Sequence, residues 1–222
     1  MRVLAALLDL VLPQPCAGCG GPGPWCASCG DVLALAARRP LGRHAPDPVP
    51  SGFPPASAAA VYDGPVRGAL LAHKERGRLG LVVPLSAALA AAVRELAPPP
   101  DAVLVPIPSS RSAVRARGHD HALRLARRAG RELGLAAVPL LAPARRIDDS
   151  AGLDARRRAA NLAGAFRLRG TAGVASVVLV DDVVTTGASL AEASRTLTSA
   201  GVRVAGAATV AATTRTWRQR LP

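Results

Sequence analysis

The feature that most constrains the fold of this chain is a run of four apolar β-formers, Val177-Val178-Leu179-Val180, that ends in two carboxylates, Asp181 and Asp182. An unbroken apolar run reads as a parallel strand buried on both faces, since a half-buried strand would alternate with polar residues. After the acids come Val183, Val184, Thr185, Thr186, Gly187, Ala188 and Ser189, a small-residue loop feeding a helix over residues 189–200. Strand, turn and helix in that order form the repeating unit of an α/β sheet, whose ligands sit beyond the carboxyl ends of the strands.

That turn has the chemistry of a phosphate cradle. Backbone N–H groups over residues 185–189 would face the crevice at the positive end of the helix dipole. Thr185, Thr186 and Ser189 add hydroxyl donors, and Gly187 lets a phosphate approach the backbone. Asp181 and Asp182 fall where a ribose attached to the phosphate would lie. They can accept hydrogen bonds from vicinal hydroxyls, or hold magnesium directly or through water. A single aspartate there would read as a turn cap. Two adjacent acids beside a Thr-Thr-Gly loop read as a ribose-phosphate site.

The rest of the chain supplies a sheet for this strand. Residues 58–62, 102–105, 165–168 and 202–210 read as strands, and residues 64–73, 81–96, 120–133 and 155–162 as helices. The domain reading is an N-terminal module over 1–39, a Pro/Gly-rich linker over 40–57 and an α/β body over 58–222. Half of the 222 residues are hydrophobic and only 2% are aromatic, so the core must be Ala, Leu and Val. No run of 18 apolar residues occurs, so no membrane span is expected. The opening stretch, interrupted by Asp9 and stopped by Pro13, reads as a short amphipathic helix and not a signal peptide, which points to the cytoplasm.

Cys16-x2-Cys19 and Cys26-x2-Cys29 are two CxxC pairs, a spacing that closes a tetrahedron around zinc with no open position, hence a structural site. Two disulfides are the competing reading, disfavoured in a reducing compartment. The net charge of +13 is almost all arginine, with Lys74 the only lysine. A phosphate-rich partner and a GC-rich genome account for that composition equally well. Arg111, Arg115 and Arg117 follow the turn Pro106-Ile107-Pro108 and are placed to meet a pyrophosphate. Arg124, Arg127, Arg128 and Arg131 repeat at helical spacing and read as an exposed face. Lys74 is a candidate point contact to phosphate, and His119 and His121 could serve as metal ligands or proton shuttles, although isolated loop histidines are usually neither.

These motifs together resemble the ComF family of proteins related to type I phosphoribosyltransferases. The resemblance rests on residues 178–189, on Val105-Pro106-Ile107-Pro108 with Arg117-Gly118, and on Tyr62, Gly64, His73, Lys74 and Gly77. It is carried further by Arg158, Asn161 and Phe166, and by the four-cysteine module behind a Leu-rich start. It implies a parallel sheet flanked by helices, bearing a zinc module and a site for phosphoribosyl pyrophosphate, or another ribose 5-phosphate compound, with magnesium. In that site Asp181 and Asp182 hold the ribose, the loop from Val183 to Ser189 the 5′-phosphate, and the Pro-x-Pro turn with the arginines the pyrophosphate. The family also implies a role in natural competence, with single-stranded DNA and the DNA-uptake machinery as partners. An enzyme transferring phosphoribosyl and a non-catalytic nucleic-acid-handling protein therefore both stand. The chain departs from the family at His119-Asp120-His121, where Phe-Asn-Gln is usual, and it lacks a Gln before Gly152-Leu153.

Overall fold

The computed structural model describes residues 14–144, 162–170 and 173–213, without the side chains of Arg111 and Ser112. The expected N-terminal helix, most of the expected 155–162 helix, Arg158, Asn161 and the segment around Gly152 lie outside the described residues.

Four parallel strands form the centre. They are β2 (Ala56–Val61), β3 (Val103–Pro106), β6 (Ser176–Val184) and β7 (Arg203–Ala212), in the order β2-β7-β6-β3, with β1 (Gly42–His44) antiparallel on the outer edge of β2. The segment expected to be only a linker thus supplies an edge strand. It does so because Gly42, Arg43 and His44 pair with Ala58, Ser57 and Ala56. A separate hairpin joins β4 (Leu141–Pro143) to β5 (Phe166–Leu168).

The central strand β6 is covered on both sides, with Val177, Val178, Leu179 and Val180 fully buried. Val178 and Val180 face α1 (Ala27–Arg38), α2 (Gly64–Glu75), α3 (Val82–Arg94) and α5 (His121–Leu133). Val177 and Leu179 face α6 (Ala188–Thr198) and the hairpin. Alanine lines much of this contact: Ala88 and Ala92 on α3 and Ala126 and Ala129 on α5 are wholly buried. Small side chains let helices lie close to a sheet, which suits a core with few aromatics. The helix α1 was not anticipated. Its buried stripe is short, Cys29, Leu33 and Ala36, and its first turn is part of the cysteine module.

The topology defines where a ligand can sit. After β3 the chain passes through α5 and returns on the far side of β3, where Ala137 bridges Leu104 in parallel. After β6 it passes through α6 to β7 on the other side. The two connections diverge, so a crevice opens beyond the carboxyl ends of β3 and β6, the switch point at which open α/β sheets bind ligands.

Candidate functional site

The crevice is a cleft of about 550 Å³, lined in part by Tyr62, Lys74, Ile107, Pro108, Ser109, Arg117, His121, Asp181, Asp182 and Thr185. Each wall is set by a local device. Asp63 caps α2 through the N–H of Gly64, which aims the helix so that Lys74, in its last turn, reaches the cleft. Ser110 caps the short helix α4 (Arg111–Arg117) by accepting from Ala113, and this directs Arg117 back toward the site. Asp120 caps α5 by accepting from Leu123, which places His121 in that helix's first turn. Side-chain caps of this kind satisfy backbone donors that the helix leaves unpaired.

Asp182 is the hub. Its Oδ2 accepts from Lys74 Nζ at 2.9 Å and lies 3.4 Å from His121 Nε2. Its Oδ1 accepts from the N–H of Val183 at 2.9 Å. Asp181 is oriented likewise, its Oδ1 accepting from the N–H of Asp182 at 2.8 Å. Burial by itself would raise the pKa of Asp182, but the His121 hydrogen bond and the Lys74 charge more than offset it and hold the carboxyl well below the usual range. At Asp181, burial and the neighbouring Asp182 carboxylate both push the pKa well up, Lys74 opposing only in part. Burial likewise works against the Lys74 ammonium, yet Asp182 and Asp181 outweigh it and raise its pKa. The cleft floor therefore carries an ionised Asp182 paired with the Lys74 ammonium, beside an Asp181 that holds its proton more firmly, an arrangement suited to hydroxyl groups or a cation.

Of the residues singled out by sequence, Lys74, Ile107, Pro108, Arg117, Asp181, Asp182, Val183 and Thr185 come together around the cleft. Pro106 and Arg115 line a neighbouring cleft of about 300 Å³ on the other side of the Pro-x-Pro turn, which Pro108 and Ser109 share. Val184 belongs to β6, which runs four residues past the expected end at Val180. The loop is therefore shorter than expected, and α6 begins at Ala188 with Gly187 as its N-cap. Gly187 sits at φ 73°, and no side chain caps the helix. A Cβ at Gly187 would fall within 3 Å of Phe53 and Pro46, so the proline-rich segment is packed over the loop and only glycine fits. Thr186 and Ser189 do not line the cleft. Arg111 begins α4, and its side chain lies outside the described residues.

The two histidines separate. His121 faces Asp182, whereas the His119 ring lies tilted at 54° to that of the buried His73, centroids 5.9 Å apart, and lines a different, arginine-rich cleft. Sequence reading named the histidines but could not divide them. It missed Tyr62, Ser109 and Glu75 as wall residues. Ser110 and Asp120 gave a usable signal, since each is a capping residue just before a helix.

The cysteines form the second site. No disulfide links the four, and their Sγ atoms all lie within 4.8 Å of one another. Cys16 and Cys19 Sγ are 3.6 and 3.7 Å from Cys26 Sγ, against about 3.8 Å for two sulfurs sharing a tetrahedral zinc with 2.3 Å bonds. The four are positioned to hold a metal ion such as zinc. A hydrogen bond from the Cys26 N–H lowers the Cys16 thiol to about 6 against the opposing effect of burial, while burial drives Cys29 far up. A bound dication would settle both as thiolates.

Compared with known proteins, the chain matches no family model and no curated protein sequence. Among the described residues no helix is long and apolar enough to cross a membrane.

Proposed function

We propose that the cleft binds phosphoribosyl pyrophosphate, or a related ribose 5-phosphate compound, with magnesium, and that the chain is a phosphoribosyltransferase of the ComF type. The observation that carries this reading is the meeting of Asp181, Asp182, Thr185, Lys74, Arg117 and the Pro-x-Pro turn at one topological switch point. Asp181 and Asp182 would accept from the ribose 2- and 3-hydroxyls. Thr185, on the cleft wall beside the two acids, suits the 5′-phosphate. Lys74 and Arg117 stand opposite as the cations that a pyrophosphate needs.

The donor set of the floor suits a divalent cation, which Asp181 and Asp182 would hold and which would supply charge neutralisation to the pyrophosphate. The chain's own residues would do the rest by positioning. Transfer at the anomeric carbon develops oxocarbenium character, so fixed charges around the leaving group and a held ribose account for most of the expected acceleration.

The test is to incubate the zinc-loaded protein with phosphoribosyl pyrophosphate, magnesium and a panel of nucleobases, and to measure binding and pyrophosphate release. The double variant Asp181→Ala, Asp182→Ala is expected to lose the ligand. Retained affinity in it would refute the site, and tight binding without turnover by the wild type would reduce the reading to a binding protein.

A second reading, a nucleic-acid-handling protein of natural competence, is favoured by one observation. Arg124, Arg127, Arg128 and Arg131 line a cleft of about 440 Å³ along α5 and pair with no acid among the described residues. Binding there would be to phosphates and steeply salt-dependent. Titration with single-stranded DNA at rising salt tests it, and no binding at low salt would end it.

A further inference from the structure

The side chains of His121 and Asp182 are 5% and 7% exposed, and with Asp181 they bring one imidazole and two carboxylates to the floor of the cleft. We infer that His121 Nε2, an oxygen of Asp181 and an oxygen of Asp182 bind a first-row transition-metal dication directly, so that the site prefers an ion of the Mn²⁺ type to Mg²⁺. This deepens the phosphoribosyl reading and rests on it for the use to which the ion is put. The binding itself depends only on these three residues.

The three donor atoms lie within 4.8 Å of one another. His121 Nε2 and Asp182 Oδ2 are 3.4 Å apart, close to the roughly 3 Å between adjacent ligands on an ion with bonds of about 2.1 Å. Small rotations of the side chains would close the set. Three ligands on one side leave the positions facing the cleft open for phosphate or hydroxyl oxygens, as in sites built from imidazole and carboxylate on one face of a metal.

The kind of ion follows from the donors. Mg²⁺ takes oxygen ligands and keeps its waters, whereas imidazole suits first-row transition metals. A ligating imidazole needs an acceptor for its other N–H. Ser109 Oγ lies 3.4 Å from His121 Nδ1 and would accept from it once an ion replaces the contact of Nε2 with Asp182. Arg117 holds Glu75 through Nε and Nη2 at 3.0 Å, while its Nη1 is 3.4 Å from Nδ1. Lys74 occupies Oδ2 of Asp182 at 2.9 Å, so the ion would share that carboxylate with the ammonium.

The experiment titrates Mn²⁺ alone into the full-length, zinc-loaded chain and follows it by electron paramagnetic resonance. Mg²⁺ is then added in competition, and pulsed measurements detect coupling to nitrogen. The wild type is expected to bind Mn²⁺ about tenfold or more tightly than Mg²⁺ and to show nitrogen coupling. His121→Gln keeps the size and a polar end but lacks the imidazole lone pair. It is expected to lose the coupling and about tenfold in Mn²⁺ affinity, at the low end of what disturbing a metal's ligand set costs, with Mg²⁺ affinity little changed. Mn²⁺ bound without nitrogen coupling, equal affinity for the two ions, or no binding would each overturn the inference. If His121→Gln does not fold, as judged by zinc content and circular dichroism, the wild-type coupling decides alone. Asp181→Asn, which leaves the Lys74, Asp182 and His121 contacts in place, should then lower Mn²⁺ affinity. No phosphorylated ligand is present, so failure here is distinct from failure to bind phosphoribosyl pyrophosphate, which is measured separately with Mg²⁺.

Discussion

The cysteine cluster and the cleft are built in opposite ways. All four sulfurs come from residues 16–29, so their meeting is a matter of two tight turns and the first turn of one helix. The cleft brings Lys74 to Asp182 across 108 positions, and His121 from a third segment. A local site depends on its own spacing and its ion. A site assembled from distant segments depends on the sheet that holds the segments in place.

The two are nevertheless in mechanical contact. Arg78, just past α2, donates to the carbonyls of Pro15 and Pro24 in the cysteine module at 2.8 and 2.9 Å. A Cβ on Gly68 of α2 would strike the backbone of Ala17 and Gly18. The module is thus seated on the helix that presents Lys74.

Removing the metal is the largest way to test that seating. Zinc binding to such modules is worth about 10–16 kcal/mol, so chelation or Cys29→Ser should unfold residues 16–29 and expose the α1 face that buries Leu33. Zinc content with amide hydrogen exchange would measure it. If the two regions are coupled through α2, the opening of the module also weakens the cleft's hold on the ligand proposed for it, phosphoribosyl pyrophosphate, and an unchanged affinity would show them to be independent. Next in size is Lys74→Met, which leaves the buried Asp182 without its ammonium. Loss of one partner of a buried pair costs about 3–5 kcal/mol, and the part-exposed Lys74 points to the lower end. Denaturant unfolding would show it, with zinc content unchanged.

Gly68→Ala addresses the contact itself. Forcing a methyl into a closed backbone interface costs about 1–3 kcal/mol, and here it should loosen the module without touching a cysteine or a cleft residue. A normal thermal midpoint in this variant would mean that the module is not seated on α2 as described. The smallest effect expected is a pH dependence. Burial lowers His73 and His44 from 6.5 to about 4. Between those values the unfolded chain binds protons that the folded chain refuses, so stability present above pH 6.5 is lost as pH falls toward 4. His73→Gln and His44→Gln should flatten that slope. Reading the effect as a difference from wild type cancels the opposite slope from Asp181, whose raised pKa removes stability as pH rises.

Much of the local architecture was legible. The apolar run at Val177 fixed a central strand because no half-buried strand tolerates four consecutive large apolar residues. The helices read over 64–73 and 120–133 are present as α2 and α5, whereas the short α4 at Arg111–Arg117 was not read. The cysteine spacing implied tetrahedral ligation, and the sulfurs do cluster. Less legible were α1, whose buried stripe is only three residues, and the edge strand β1, hidden in a segment that its prolines and glycines made look like a tether.

What the sequence determined by itself was therefore what neighbouring residues decide among themselves: the buried strand, the two acids near its end and the metal-type cysteine cluster. Only the tertiary structure decided which distant side chains meet. It set Lys74 and His121 on Asp182, turned His119 away toward His73, and laid Phe53 over Gly187. The physical reason is that such pairings follow from the order of strands in the sheet and from which side each connecting helix crosses. Those are set by the packing of the whole core, and no pattern within a single segment encodes them.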